Sequence, residues 1–155
     1  MSKNFSFEEL VPVINEAFEK NGEVTVTAKG NEMQPIIRES KDTVTLVKPA
    51  EKPKKNDVVL YLSETGEYKL RRIVFVNGAT YVASGDNETA NEYNITDERI
   101  VGVMLSFDRG GKTRKISDSG YRLYTALLPV IKPVLTGYKW LRKRVVNFIK
   151  FLMKR

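Results

Sequence analysis

The chain contains neither cysteine nor histidine. That removes disulfides, thiol nucleophiles, imidazole bases, and zinc or iron sites built on Cys or His. A metal would need oxygen ligands, and no carboxylate-dense loop of the EF-hand kind occurs, so neither a metal nor a cofactor is expected. Carboxylates, amines, guanidinium groups and hydroxyls are left to do chemistry. Five short stretches gather them: Gly30-Asn31-Glu32-Met33-Gln34-Pro35, Asn56-Asp57-Val58-Val59, Arg71-Arg72-Ile73-Val74, Gly85-Asp86-Asn87 and Ile100-Val101-Gly102-Val103. Arginine stays protonated, with a pKa above about 12, so Arg71 is no general base. Glu32 offers no hydroxyl to activate. A carboxylate protease needs two carboxylates sharing a proton, and nothing in the sequence places Glu39 or Glu64 beside Glu32.

In this order, around an Asn77-Gly78 turn, the five motifs resemble the catalytic domain of the signal peptidase I/LexA group of serine peptidases, from Gly30 to Val103. In that group a serine hydroxyl attacks the scissile carbonyl and a lysine or histidine takes its proton. The substrate lies as an extended strand beside the sheet. Carried over residue by residue, the resemblance puts Glu32 at the nucleophile position and Arg71 at the base position. Gly30, Asn31, Met33 and Pro35 then shape the site, with Arg72, Asp86 and Asn87 around it, while Asn56 stands where the group has glycine. It implies a cleft without an intact dyad, in which Glu32 and Arg71 lie close enough to form an ion pair.

Two readings of that pair stay open. It is a solvated remnant worth about 0–1 kcal/mol, or part of a cleft that binds an extended peptide or protein segment without cutting it. Arg71 would then take a carboxylate, or Glu32 a basic side chain. Lys69 falls on the same strand face as Arg71, about 6–7 Å along, and would be a base only beside a hydroxyl; Thr27 and Ser40 are the nearest in sequence. Two alternatives follow: an active serine-type endopeptidase or self-cleaving protein with an unrecognised dyad, and a structural or interaction domain that binds no peptide.

The elements that must position these residues are mainly β. Residues 5–20 read as an amphipathic helix, with Ser6 and Glu9 as a capping box, Leu10, Val13, Ile14, Ala17 and Phe18 as the apolar face, and Asn21-Gly22 as the stop. Alternating or β-branched runs predict strands at 23–29, 43–47, 57–62, 67–76, 79–84, 99–107 and 113–116. Asn77-Gly78 predicts a hairpin. The 48–56 stretch, rich in Lys and Pro, reads as a solvated loop. The expected class is the LexA/signal peptidase-like β-fold with an N-terminal helix and a C-terminal helical basic tail, divided as residues 1–118 and 119–155.

After Ser119 the character changes. A short apolar helical piece at 121–128 should be interrupted by Pro129 and Pro133. Residues 138–155 read as a second helix, with Leu141, Val145, Phe148 and Leu152 on one face and lysines on the other. Seven of the 26 Lys and Arg residues fall there, with no acid, which leaves 19 basic against 19 acidic residues elsewhere. The net charge of +7 is therefore the tail's own. An apolar stripe backed by lysines suits an anionic membrane surface, with Trp140, Lys139, Arg142, Lys143 and Lys150 in contact. Packing on the domain or a partner is the second reading; nucleic acid is not expected, as no helix-turn-helix precedes residue 23. With neither a secretory signal nor an apolar run of about 18 residues, the expected place is the cytoplasm, peripheral to the inner face of the membrane.

Overall fold

The computed structural model describes residues 7–152, without the side chains of 7–10, 135–136 and 139–152. The Ser6–Glu9 capping box and the side chains of Lys139, Trp140, Arg142, Lys143 and Lys150 lie outside the described residues. Helix α1 spans Phe7–Asn21 and contains Pro12. Ile14 and Phe18, one turn apart, are buried among its described side chains, whereas Val13 is exposed and does not belong to the apolar face. Gly22 ends the helix in the left-handed region at φ 74°, and its N–H reaches the Phe18 carbonyl at 3.0 Å. Glycine adopts that conformation without a Cβ penalty.

Eight antiparallel strands follow: β1 (Glu23–Thr27), β2 (Thr43–Val47), β3 (Val58–Leu62), β4 (Tyr68–Asn77), β5 (Thr80–Ser84), β6 (Asn91–Thr96), β7 (Ile100–Arg109) and β8 (Lys112–Lys115). A 3-10 turn at Asp97–Arg99 precedes β7. The sheet order is β1-β2-β7-β3-β4-β5-β6, with β8 added to β7. The protein is thus mainly β, one antiparallel sheet with an N-terminal and a C-terminal helix. Strand β6 was not expected from the sequence. Only Ile95 is fully buried in it, and Asn94 at φ 57° breaks the two-residue alternation that marks a strand.

Residues Val58 to Tyr61 of β3 are all buried, because the sheet carries apolar material on both faces. One core holds Ile14, Phe18, Met33, Leu46, Leu60 and Met104. The other holds Val59, Tyr61, Ile73, Tyr81, Ala83 and Ile95. Gly102 lets α1 approach β7: a Cβ there would sit 3.1 Å from the Phe18 ring and 3.3 Å from the Val47 carbonyl. The β4–β5 hairpin turns through Gly78 and Ala79, since Asn77 pairs with Thr80. Gly78 at φ 59° therefore occupies the first central position of the turn, not the second as Asn77-Gly78 had suggested.

The C-terminal half differs from expectation. Pro129 and Pro133 do not end a helix; α2 runs from Ser119 to Leu152 with both inside. Each proline removes one main-chain bond. The two are exposed and four residues apart on one face, where water can serve the carbonyls of Thr125 and Pro129. Among the described residues no helix is long and apolar enough to cross a membrane.

Candidate functional site

Strand β1 runs into the 30–35 loop through Gly30 at φ 78°, where a β-carbon would collide with the Glu32 carboxylate. Met33 and Ile37 are sunk in the core and hold the loop down. Arg109 donates to the Pro35 carbonyl at 2.8 Å, and the Gln34–Pro35 bond is cis. Behind the loop, Asp42 is fully buried and takes the Arg38 guanidinium and main-chain N–H at 2.7–2.8 Å. The Arg38 hydrogen bonds hold this carboxyl below the usual range, against the opposing effect of burial.

The 85–87 turn closes on the same loop. Asn87 donates from its main-chain N–H to the Glu32 carbonyl at 2.8 Å and from its side chain to the Asn31 carbonyl at 3.1 Å. Gly85 makes this possible, since a β-carbon there would lie 2.6 Å from the Glu32 carbonyl oxygen. Two segments more than fifty residues apart are thereby locked together.

Arg71 and Arg72 are neighbours on β4 and so point to opposite faces. Arg72 is 2% exposed and grips Asp86, also 2% exposed at its side chain, through two bonds of 2.8 Å. Its remaining nitrogen donates to the Asn56 carbonyl at 2.8 Å and the Tyr121 hydroxyl at 2.9 Å. Tyr124 donates to Asp86 at 3.0 Å. Burial opposes the Arg72 charge, but Asp86 outweighs it and the guanidinium pKa is raised. The first turns of α2 thus cap a buried ion pair. Tyr121 and Tyr124 were not singled out from the sequence, since their value lies in a contact across some fifty residues of chain.

Arg71 is also buried, and its partner is Glu88, with Glu92 at 4.0 Å. This corrects the expected Glu32–Arg71 ion pair. The β5–β6 connection and the start of β6 bring Glu88 and Glu92 to Arg71, and Glu32 makes no ion pair among the described residues. Glu92 also meets Lys69 at 3.4 Å and accepts from the Tyr61 hydroxyl at 2.7 Å. Burial and then Glu92 push the Tyr61 hydroxyl pKa upward. Glu88 and Glu92 escaped the sequence reading because one precedes and the other lies in β6, the strand that carries no strand signature.

Glu32, Lys69 and Arg71 still share one hollow of about 70 Å³, walled by Val26, Leu60, Tyr68 and Leu70. Thr27 lines it as well. A hydroxyl directly beside an amine is that of Ser84, 2.7 Å from Lys132 Nζ. Burial, with help from Arg71 and Arg72, lowers the Lys132 pKa. Ser84 is 1% exposed and donates to the Ala90 carbonyl, so no carbonyl can reach it. A larger hollow, about 500 Å³, lies elsewhere, between α1, the 48–53 loop and the 97–99 turn. Its Lys48, Glu51, Lys52, Asp97 and Glu98 mix charges with no shared focus, so chemistry favours the smaller hollow. Among the described residues no group of acids could hold a metal. A scan against protein-family models, a search of curated proteins and a search of solved structures each returned no match.

Proposed function

We propose that the chain is a signal peptidase I/LexA-like domain whose former catalytic cleft binds an extended peptide without cutting it, at the cytoplasmic face of a membrane. One observation carries the reading: β1 pairs only with β2 among the described strands, and it leads directly into the hollow that Glu32 and Arg71 share. A free strand edge offers main-chain hydrogen bonds to an added strand, and a pocket beside it selects side chains. At about 70 Å³ the hollow suits a small apolar side chain.

Further support comes from the way the motif residues meet. Asn56 occupies the family's glycine position at φ 78°, a conformation asparagine tolerates better than other side-chain-bearing residues. Gly85 sits at a close approach that excludes a β-carbon, and Gly102 at one that leaves little room for it. Cleavage has no chemistry to run on. Arg71 is a permanent cation already engaged by Glu88, so the hollow's uncommitted charge is Glu32. A peptide bearing a basic side chain beside its small residue fits best.

The test is hydrogen exchange on the full chain with a library of extended heptapeptides. Protection of β1 amides by peptides pairing a small residue with a Lys or Arg, weakened by Glu32→Gln, is the expected result. No protection by any peptide would leave a domain that binds through other surfaces. Hydrolysis by the unaltered protein would instead favour an active peptidase.

A further inference from the structure

The docked half of α2 buries Tyr121 and Leu128 and sends Lys132 to Ser84. Its other side is apolar and open. Leu123, Leu127, Val130, Val134 and Tyr138 are between 44% and 68% exposed. Their spacing of four, three, four and four residues puts them on one face. The sequence continues that face through Leu141, Val145, Phe148 and Leu152. Twenty-nine residues are crossed in eight steps, close to the 3.6 residues per turn of a straight helix.

We propose that this unbroken stripe, beginning at Leu123, lies in an anionic lipid surface, so that α2 binds the membrane along the half that also docks the domain. The inference rests on the reading of residues 138–155 as a membrane-seeking tail and extends it by some fifteen residues. Charge points to a lipid surface. No Asp or Glu follows Asp118, while nine Lys and Arg residues do, and anionic headgroups attract such a segment. In the described residues α2 is not apolar enough to span, so it lies in the interface. The domain then rides on the back of α2, about 10 Å above the lipid, one helix diameter.

The absence of cysteine allows a clean test. Val130→Cys in the full chain carries an environment-sensitive fluorophore, while Trp140, the sole tryptophan, reports on the tail. The probe surface is phosphatidylcholine vesicles with about one-third phosphatidylglycerol, against pure phosphatidylcholine. The expected result is a blue shift of both reporters on the anionic vesicles alone. Leu127→Glu with Val134→Glu should lower partitioning at least about tenfold, because each puts a carboxylate on the lipid-facing stripe beside anionic headgroups. Both positions are exposed, so folding is untouched. A shift at Trp140 with none at position 130 overturns the extension and leaves the tail reading standing. No shift at either overturns both. A shift at position 130 without vesicles, with doubled molecular mass, assigns the stripe to a second copy and also overturns the proposal.

Discussion

Asp86→Asn removes the acceptor charge that satisfies Arg72 while leaving the shape of the site nearly unchanged. The guanidinium is 2% exposed and donates two bonds of 2.8 Å to Asp86. Water cannot replace them. Breaking one partner of a buried pair costs about 3–5 kcal/mol, because the surviving charge stays uncompensated. Tyr124 keeps an acceptor in the amide oxygen, so nearly all the loss belongs to Arg72. Whole-domain stabilities run to about 5–15 kcal/mol, so the variant loses about a fifth or more of its margin. With a urea slope of about 2 kcal/mol per M, the midpoint falls by about 2 M. Equilibrium urea unfolding followed by circular dichroism reads this directly. Where Asp86→Asn does not fold, Tyr124→Phe removes one hydrogen bond to the same carboxylate and should cost about 1 kcal/mol. A loss under about 0.5 kcal/mol for Asp86→Asn would refute the buried pair as the anchor between β4, the 85–87 turn and α2.

Three further outcomes follow from the same geometry. Gly85→Ala drives a β-carbon to 2.6 Å from the Glu32 carbonyl and should destabilise by about 1–3 kcal/mol, with fast exchange of the Asn87 amide. Asp42 has a lowered carboxyl pKa, set first by its bond from Arg38. Its contribution is complete above the unfolded value near 3.8 and is lost as pH falls through the folded one. Urea midpoints measured from pH 6 down to about 2 should therefore drop in acid, and Asp42→Asn should lower the neutral value and flatten the acid limb; the Arg38 side chain is solvent-exposed, so screening keeps the effect small. At the alkaline end, burial and then Asp97 push the Tyr81 hydroxyl up to about 12. Stability should fall as pH rises from 10 towards 12, and Tyr81→Phe should reduce that slope by up to about 1.4 kcal/mol per pH unit.

The β body was legible because its strands obey a local rule. Thr43–Val47 is β-branched or aliphatic throughout, Val58–Leu62 is so apart from Tyr61, and the observed limits agree to within a residue. Strand β6 was illegible for the converse reason: NEYNIT is mostly polar and pairs with β5 across a register shift. The proline rule misread α2, since exposed prolines can remain in a helix whose other faces do the packing. At the site, the motifs brought Glu32, Arg71, Asp86 and Asn87 into one neighbourhood. They gave no sign that Glu88 would take Arg71, because that depends on how β6 returns. Nor did they show that Tyr121, Tyr124 and Lys132 would dock α2 there, because tertiary contacts of single side chains leave no periodicity to read.

The most direct test of a binding cleft without catalysis is to restore the dyad and compare it with the unaltered chain on one peptide library. Glu88 matters to the design. A lysine placed at position 71 beside that carboxylate would stay protonated and could not act as base. The variant is therefore Glu32→Ser with Arg71→Lys and Glu88→Gln, assayed at pH 7 to 9 by mass spectrometry, with the Glu88-retaining double variant beside it. The account predicts that the triple variant cuts the peptides the natural protein binds, that the double variant cuts them more slowly, and that the natural protein cuts none. Cleavage by the natural protein, or binding with no cleavage by a folded triple variant, would contradict it.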